Sequence, residues 1–231
     1  MDFTPTDEQE ELINQICKWF HDYESGHRIR NHPQWFSYSG QAGVGKTAVL
    51  EFVIKNLNLD DDQYMTCALT GKASLNLQQH NLPSCTVHSL IYHTVLEKVL
   101  STDEEIEAGE PKYKMKFHFI LKDKLPENIR LIVVDEATMI NNDIRDKILS
   151  FDIPTIFIGD MNQLPPIFGI SEVMMHPDFT LTKIMRQSEG NPIIQLSQMI
   201  LNNDYYDFDL TKVDNKNIYV GLFLNRGTVL K

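Results

Sequence analysis

Gly40-Gln41-Ala42-Gly43-Val44-Gly45-Lys46-Thr47 is the stretch whose reading decides the fold of this 231-residue chain. Its pattern, GxxxxGK[ST], suits a loop that wraps its backbone around the phosphates of a nucleoside triphosphate. Gly40, Gly43 and Gly45 leave no Cβ between the amides and the anion. Gln41, Ala42 and Val44 complete the cradle. Lys46 brings a charge to the β- and γ-phosphates and Thr47 a hydroxyl to Mg2+, while the helix leaving the loop aims its positive end at the same phosphates. The flanks agree: Trp35-Phe36-Ser37-Tyr38-Ser39 reads as a strand entering the loop, and residues 47–55 read as the helix leaving it. A plain glycine-rich turn accounts for the glycines but not for those flanks.

Composition sets the bounds around this loop. A chain of 231 residues, 42% of them apolar, suits one large α/β domain with a small insertion. The net charge of −11 excludes a general nucleic-acid-coating surface, yet leaves room for a narrow strand track, because phosphate contacts depend on local charge. Cys17, Cys67 and Cys85 are unevenly spaced and form no CxxC pair, which argues against a disulfide frame or a zinc site. No apolar run approaches the ~18 residues of a membrane span, and Met1-Asp2-Phe3-Thr4-Pro5 lacks the layout of a signal peptide. A cytoplasmic, monomeric chain without a membrane partner is expected.

Helical spacing of Leu12, Ile13, Ile16, Trp19 and Phe20 predicts a helix over 6–20. Strands are expected over 64–69, 130–135, 154–159 and 179–185, with helices over 71–80 and from Pro192 to about residue 201. The alternation predicts a mostly parallel sheet flanked by helices. Between 92 and 128 the pattern breaks. Asp103, Glu104, Glu105, Glu107 and Glu110 form an acidic run. Residues 112–119 then alternate, with Lys112, Lys114, Lys116 and His118 on one side and Tyr113, Met115, Phe117 and Phe119 on the other. A turn at 108–111 would fold this strand back on the acidic run. The expected organisation is an α/β domain in two parts, 1–91 and 129–201, an inserted small β subdomain over 92–128, and an extension over 202–231.

Two further segments follow apolar strands and so arrive at the same sheet edge as the phosphate loop, where such folds bind ligands. In the first, Asp135 is placed to hold Mg2+ and Glu136 to orient and deprotonate the attacking water. The second is Gly159-Asp160-Met161-Asn162-Gln163-Leu164-Pro165-Pro166, in which the Gln163 amide can donate to a γ-phosphate and fall slack when that group leaves. Solvated loop carboxylates and a backbone-bonded loop amide are the plainer readings of the same letters.

Taken in order, the phosphate loop, Val133-Val134-Asp135-Glu136-Ala137-Thr138-Met139, the Gln163 segment and Leu181-Thr182-Lys183-Ile184-Met185-Arg186-Gln187 resemble the first RecA-like motor domain of a superfamily-1 DNA helicase. The branch is the RecD/Dda-like one that moves 5′ to 3′ on single-stranded DNA, and the resemblance covers about residues 3–201. It implies a RecA-like P-loop NTPase fold, ATP and Mg2+ as cofactors, and single-stranded DNA as partner. Gln9, in Pro5-Thr6-Asp7-Glu8-Gln9, falls on the family's adenine reader, although Thr6 and Gln9 also fit a helix capping box. Thr70, Gly71 and Lys72, with Thr86 and His88, look like the segments that touch the DNA backbone; read alone, Thr70 and Thr86 are helix N-caps. Arg186 resembles the arginine that meets the γ-phosphate in the transition state, with a surface ion pair as its plainer reading. The insertion resembles the family's strand-separating pin, and Phe117 and Phe119 suit stacking against bases. Cross-strand Glu–Lys pairs beneath a buried aromatic face account for the same residues.

The chain departs from the family in one respect. A second RecA-like domain with its own late arginine would follow residue 201, and only residues 202–231 remain. Stepping along a strand requires two domains that close and open around ATP. Alone, this chain is expected to bind and slowly hydrolyse ATP without unwinding. A nucleotide-gated module that pairs with a replication or recombination protein is the competing reading. A small-molecule kinase would share the phosphate loop but needs neither of the two later segments.

Overall fold

The computed structural model describes residues 4–27, 32–100, 102, 108, 113–163, 166–167 and 169–183. These lie in the unit Met1–Met185; the second unit, Arg186–Lys231, is outside the described residues, as are the helix expected from Pro192 and Arg186 itself.

Helix α1 (Asp7–Glu24) starts where the Thr6 hydroxyl accepts from the Gln9 amide while the Gln9 side chain accepts from the Thr6 amide, a full capping box. Its buried stripe is Leu12, Ile13, Ile16, Trp19, Phe20 and Tyr23. Strand β1 (Trp35–Gly40) is buried throughout and feeds the phosphate loop and helix α2 (Lys46–Leu57). Next come β2 (Tyr64–Ala68), α3 (Gly71–Gln79), β3 (Ser84–Thr86) and α4 (Val87–Ile91). A hairpin, β4 (Tyr92–Leu100) and β5 (Tyr113–Leu121), separates these from β6 (Leu131–Asp135). A 3-10 turn (Ala137–Met139), α5 (Asn142–Leu149), β7 (Thr155–Gly159), α6 (Glu172–Met175) and β8 (Phe179–Leu181) complete the unit.

The six main strands run in the order β3-β2-β6-β7-β1-β8, and every neighbouring pair is parallel. Side chains on a strand alternate between faces. Thus Leu131 and Val133 of β6, with Ile156 and Ile158 of β7, join α1, α2 and α3 in one core. Ile132, Val134 and Phe157 enter a second core with Val87, Ile148 and Val173 from α4, α5 and α6. Both faces are covered, which explains why β6 and β7 read as unbroken apolar runs. The architecture is the mostly parallel, helix-flanked sheet that the sequence predicts.

Register fixes the functional edge. Ala68 lies beside Asp135 on one side and Thr86 on the other, Ser39 beside Gly159, and Gly40 beside Leu181. The loops after β1, β2, β3, β6, β7 and β8 therefore leave from one edge.

The hairpin corrects one expectation. The partner of β5 is Tyr92–Leu100, antiparallel, and not the acidic run. In this register Glu97 lies opposite Lys116, but its carboxylate meets His118, whose Nε2 lies 3.0 Å from Glu97 Oε2. The aromatic face is not buried: Phe117 is 63% exposed and Phe119 58%.

Candidate active site

Gly43 and Gly45 take φ values of 91° and 87°, the left-handed region that favours glycine. At Gly45 a second constraint applies, because a Cβ would come within 2.6 Å of Gln9 Nε2. Gln9 is buried against the loop: its Nε2 donates to the Val44 carbonyl at 2.9 Å, and its Oε1 accepts from the Thr6 amide at 3.0 Å. Gln9 thus fills its capping role and also braces the phosphate loop. Lys46 folds its ammonium onto the carbonyls of Gly40 and Gln41, at 2.7 and 3.3 Å. The hydroxyl of Tyr38, a residue without a role in the sequence reading, donates to the Lys46 carbonyl. Thr47, next in α2, is half-buried.

Asp135 ends β6 half-buried, its Oδ1 accepting from the Glu136 amide at 2.9 Å. Burial pushes the Asp135 carboxyl above the ordinary carboxylate range, opposed by the Glu136 amide and by Lys46. Glu136 stands at φ 54°, a left-handed conformation that costs of order 1–3 kcal/mol away from glycine and is found where function holds it. Its Oε2 is buried without a hydrogen-bond partner. Burial raises its pKa, and the charges of Asp135 and, more weakly, Asp160 add to this; Lys46 and a hydrogen bond from the Gln163 side chain oppose them. The chain therefore brings the predicted base and the predicted sensor together. Asp160 is buried, with its Oδ1 accepting from the Asn162 amide while the Gln163 amide donates to its carbonyl.

Thr70 and Thr86 both act as N-caps, accepting from the amides of Ala73 at 3.3 Å and Ser89 at 3.2 Å. Gly71 opens α3, and Lys72 follows it with an exposed side chain. A cavity of about 530 Å³ is lined by Thr70 and Lys72 together with Glu136 and Gln163, and by Leu75 and Met139. At the base of the hairpin, His88, Tyr92 and Phe119 form a ring cluster with centroids 5.7 to 6.1 Å apart, so Phe119 belongs with His88 while Phe117 stands farther out. No cluster of three metal-ligating His, Cys, Asp or Glu side chains occurs among the described residues. The oxygen donors of Thr47 and Asp135 nevertheless suit a hard cation that completes its shell with water and phosphate. No described helix is long and apolar enough to cross a membrane.

The AAA domain family matches residues 26–216. Among curated proteins, an ATP-dependent RecD2 DNA helicase of Deinococcus radiodurans is 24% identical over 207 residues, covering 86% of this chain and 24% of the relative. An uncharacterized Methanocaldococcus jannaschii protein is 24% identical over 215 residues, covering 83% and 16%. Among solved structures, Bacteroides sp Pif1 in complex with ADP-AlF4 has a TM-score of 0.53 at 22% identity, covering 88% of this chain and 47% of that one. Pif1 helicase from Candida albicans has a TM-score of 0.54 at 18% identity, covering 86% and 44%. The chain spans no more than about a quarter of these curated relatives and under half of the solved chains.

Proposed function

This chain belongs to the AAA domain family, with the RecA-like fold of a superfamily-1 helicase motor, and we propose that it is the first motor domain of an ATP-dependent 5′-to-3′ DNA helicase. The observation that carries this reading is the cavity shared by Glu136, Gln163, Thr70 and Lys72, which joins the hydrolytic residues to the strand-facing ones.

The roles follow from position and chemistry. The backbone from Gly40 to Thr47 cradles the phosphates, and Lys46 leaves the Gly40 carbonyl to meet the β- and γ-oxygens. Thr47 and Asp135 would hold Mg2+, which when bound neutralises charge building on the phosphoryl oxygens. Glu136, whose raised pKa suits a base, takes a proton from water as the water oxygen attacks phosphorus and ADP departs. Gln163 donates to the γ-phosphate and relays its loss to the loop. Arg186 adds charge in the transition state. Thr70, Gly71, Lys72, Thr86 and His88 line the strand's phosphates, and Phe117 and Phe119 meet its bases.

Steady-state ATP hydrolysis with and without single-stranded DNA, using Glu136→Gln as the blank, tests the reading. Stimulation by the strand is expected. Hydrolysis or binding indifferent to DNA would favour an ATP-gated module that engages a replication or recombination protein, a reading supported by the exposed apolar hairpin face.

A further inference from the structure

Tyr38 is wholly buried in β1, in the core that this strand shares with α1, α2 and α3. A phenol hydroxyl in such a core lowers stability unless it finds a partner. This one donates to the Lys46 carbonyl at 3.1 Å, in the first turn of α2. Lys46 also carries the ammonium that rests on the Gly40 and Gln41 carbonyls, and Thr47 follows it directly. The bond therefore ties the strand beneath the phosphate loop to the turn of helix that bears both side chains.

Asp135 lies on the same side of the sheet. Residues two apart on a strand share a face, and Leu131 and Val133 of β6 belong to the core that holds Tyr38. A single strand, β7, separates β6 from β1. Burial pushes the Tyr38 phenol well above the ordinary tyrosine range, and the charge of Asp135 adds to this. The hydroxyl thus sits within electrical reach of the carboxylate while bonded to the residue before Thr47. A phenylalanine would fill the same space but would not hold the first turn of α2 in place along the sheet.

We propose that Tyr38 is a positioning residue for the divalent-cation site, its hydroxyl holding the first turn of α2 so that Thr47 and Asp135 keep the separation that one Mg2+ needs. This rests on the motor reading, in which those two residues hold the cation. Mg2+ demands near-ideal octahedral geometry with ligands at about 2.0–2.1 Å. Backbone amides around a phosphate tolerate several tenths of an ångström more, since N–H···O bonds span roughly 2.7–3.2 Å. A slip of α2 against the sheet therefore weakens the metal's hold before it weakens the phosphate cradle.

The test measures the affinity of the 231-residue chain for ADP by fluorescence titration, once with EDTA and once with Mg2+. The ratio of the two affinities reads the cation's contribution. Thr47→Ala should abolish most of that ratio. Tyr38→Phe, which deletes one oxygen and keeps the ring, should lower it by about 3- to 10-fold, the worth of one hydrogen bond, with affinity in EDTA within about 2-fold of the parent. In the Thr47→Ala background, Tyr38→Phe should add nothing, because a residue acting through the threonine has no further effect once its hydroxyl is gone. Equal losses with and without Mg2+ would mark Tyr38 as a support of the fold and overturn the positioning role. An unchanged ratio in Tyr38→Phe, or additive losses in the double variant, would overturn it too while leaving Thr47 in place. If the parent showed no gain from Mg2+, or Thr47→Ala kept that gain whole, the cation site itself would fail, and the role of Tyr38 with it.

Discussion

Gln9 and Val44 lie 35 positions apart and are joined by a buried 2.9 Å hydrogen bond from the amide side chain to the loop carbonyl. This bond makes the phosphate loop depend on α1. Gln9→Ala removes it together with half of the capping box, at a cost of about 1–3 kcal/mol. Because the amide is spent on protein partners, the variant is expected to bind ATP and GTP more weakly to a similar degree. A selective loss for ATP in a side-by-side titration would instead mark Gln9 as a reader of adenine.

Glu136 combines a left-handed backbone, partial burial and an orphaned oxygen. Its raised pKa means that the folded chain holds this proton more tightly than the unfolded chain does. Stability therefore falls as pH rises from the ordinary glutamate range through the raised value. Glu136→Gln removes the charge and is expected to stabilise the chain by about 0.5–2 kcal/mol at neutral pH while stopping hydrolysis. Thermal melts at pH 5 and pH 7.5 check the sign; the gain should be larger at the higher pH.

Asp160 adds to the raised Glu136 pKa behind the larger effects of burial and Asp135. Removing its charge in Asp160→Asn should make Glu136 easier to ionise. The acidic limb of the hydrolysis profile would then shift to lower pH. A limb that stays put would show that Asp160 has no electrical influence on the base.

Lys72 is exposed and lines the cavity shared with Glu136. As a phosphate contact it contributes one released counterion, so Lys72→Ala should lower the slope of log affinity for single-stranded DNA against log salt by about 1. An unchanged slope would place the strand elsewhere.

Phe119 and Phe117 share a strand face but not an environment. Phe119 meets the rings of His88 and Tyr92, so Phe119→Ala should cost about 0.5–1.5 kcal/mol of stability. Phe117→Ala, at a more exposed ring, should leave the melting temperature within a degree or so of the parent. If both weaken strand binding, only the Phe117 effect can be read without correction for folding.

The sheet was legible wherever a strand is long and buried on both faces. Leu131-Ile132-Val133-Val134 and Thr155-Ile156-Phe157-Ile158 have no polar break, and parallel packing needs none. Ser84–Thr86 escaped because three residues carry no period, and Asn142–Leu149 because few apolar positions fall within eight residues. The partner of Tyr113–Leu121 was misassigned because charge complementarity pointed to the acidic run, whereas Tyr92-His93-Thr94-Val95 carries the β-branched and aromatic residues that pair well across strands. At the site, motifs located the loops, but Gln9 on Val44, Glu8 on Thr182 and Tyr38 on Lys46 join positions that no local spacing connects.

Both outer strands of the sheet, Ser84–Thr86 and Phe179–Leu181, are only three residues long. Among the described residues, each rim of this sheet therefore offers few free amides and carbonyls to template another chain, a common guard against edge-to-edge pairing.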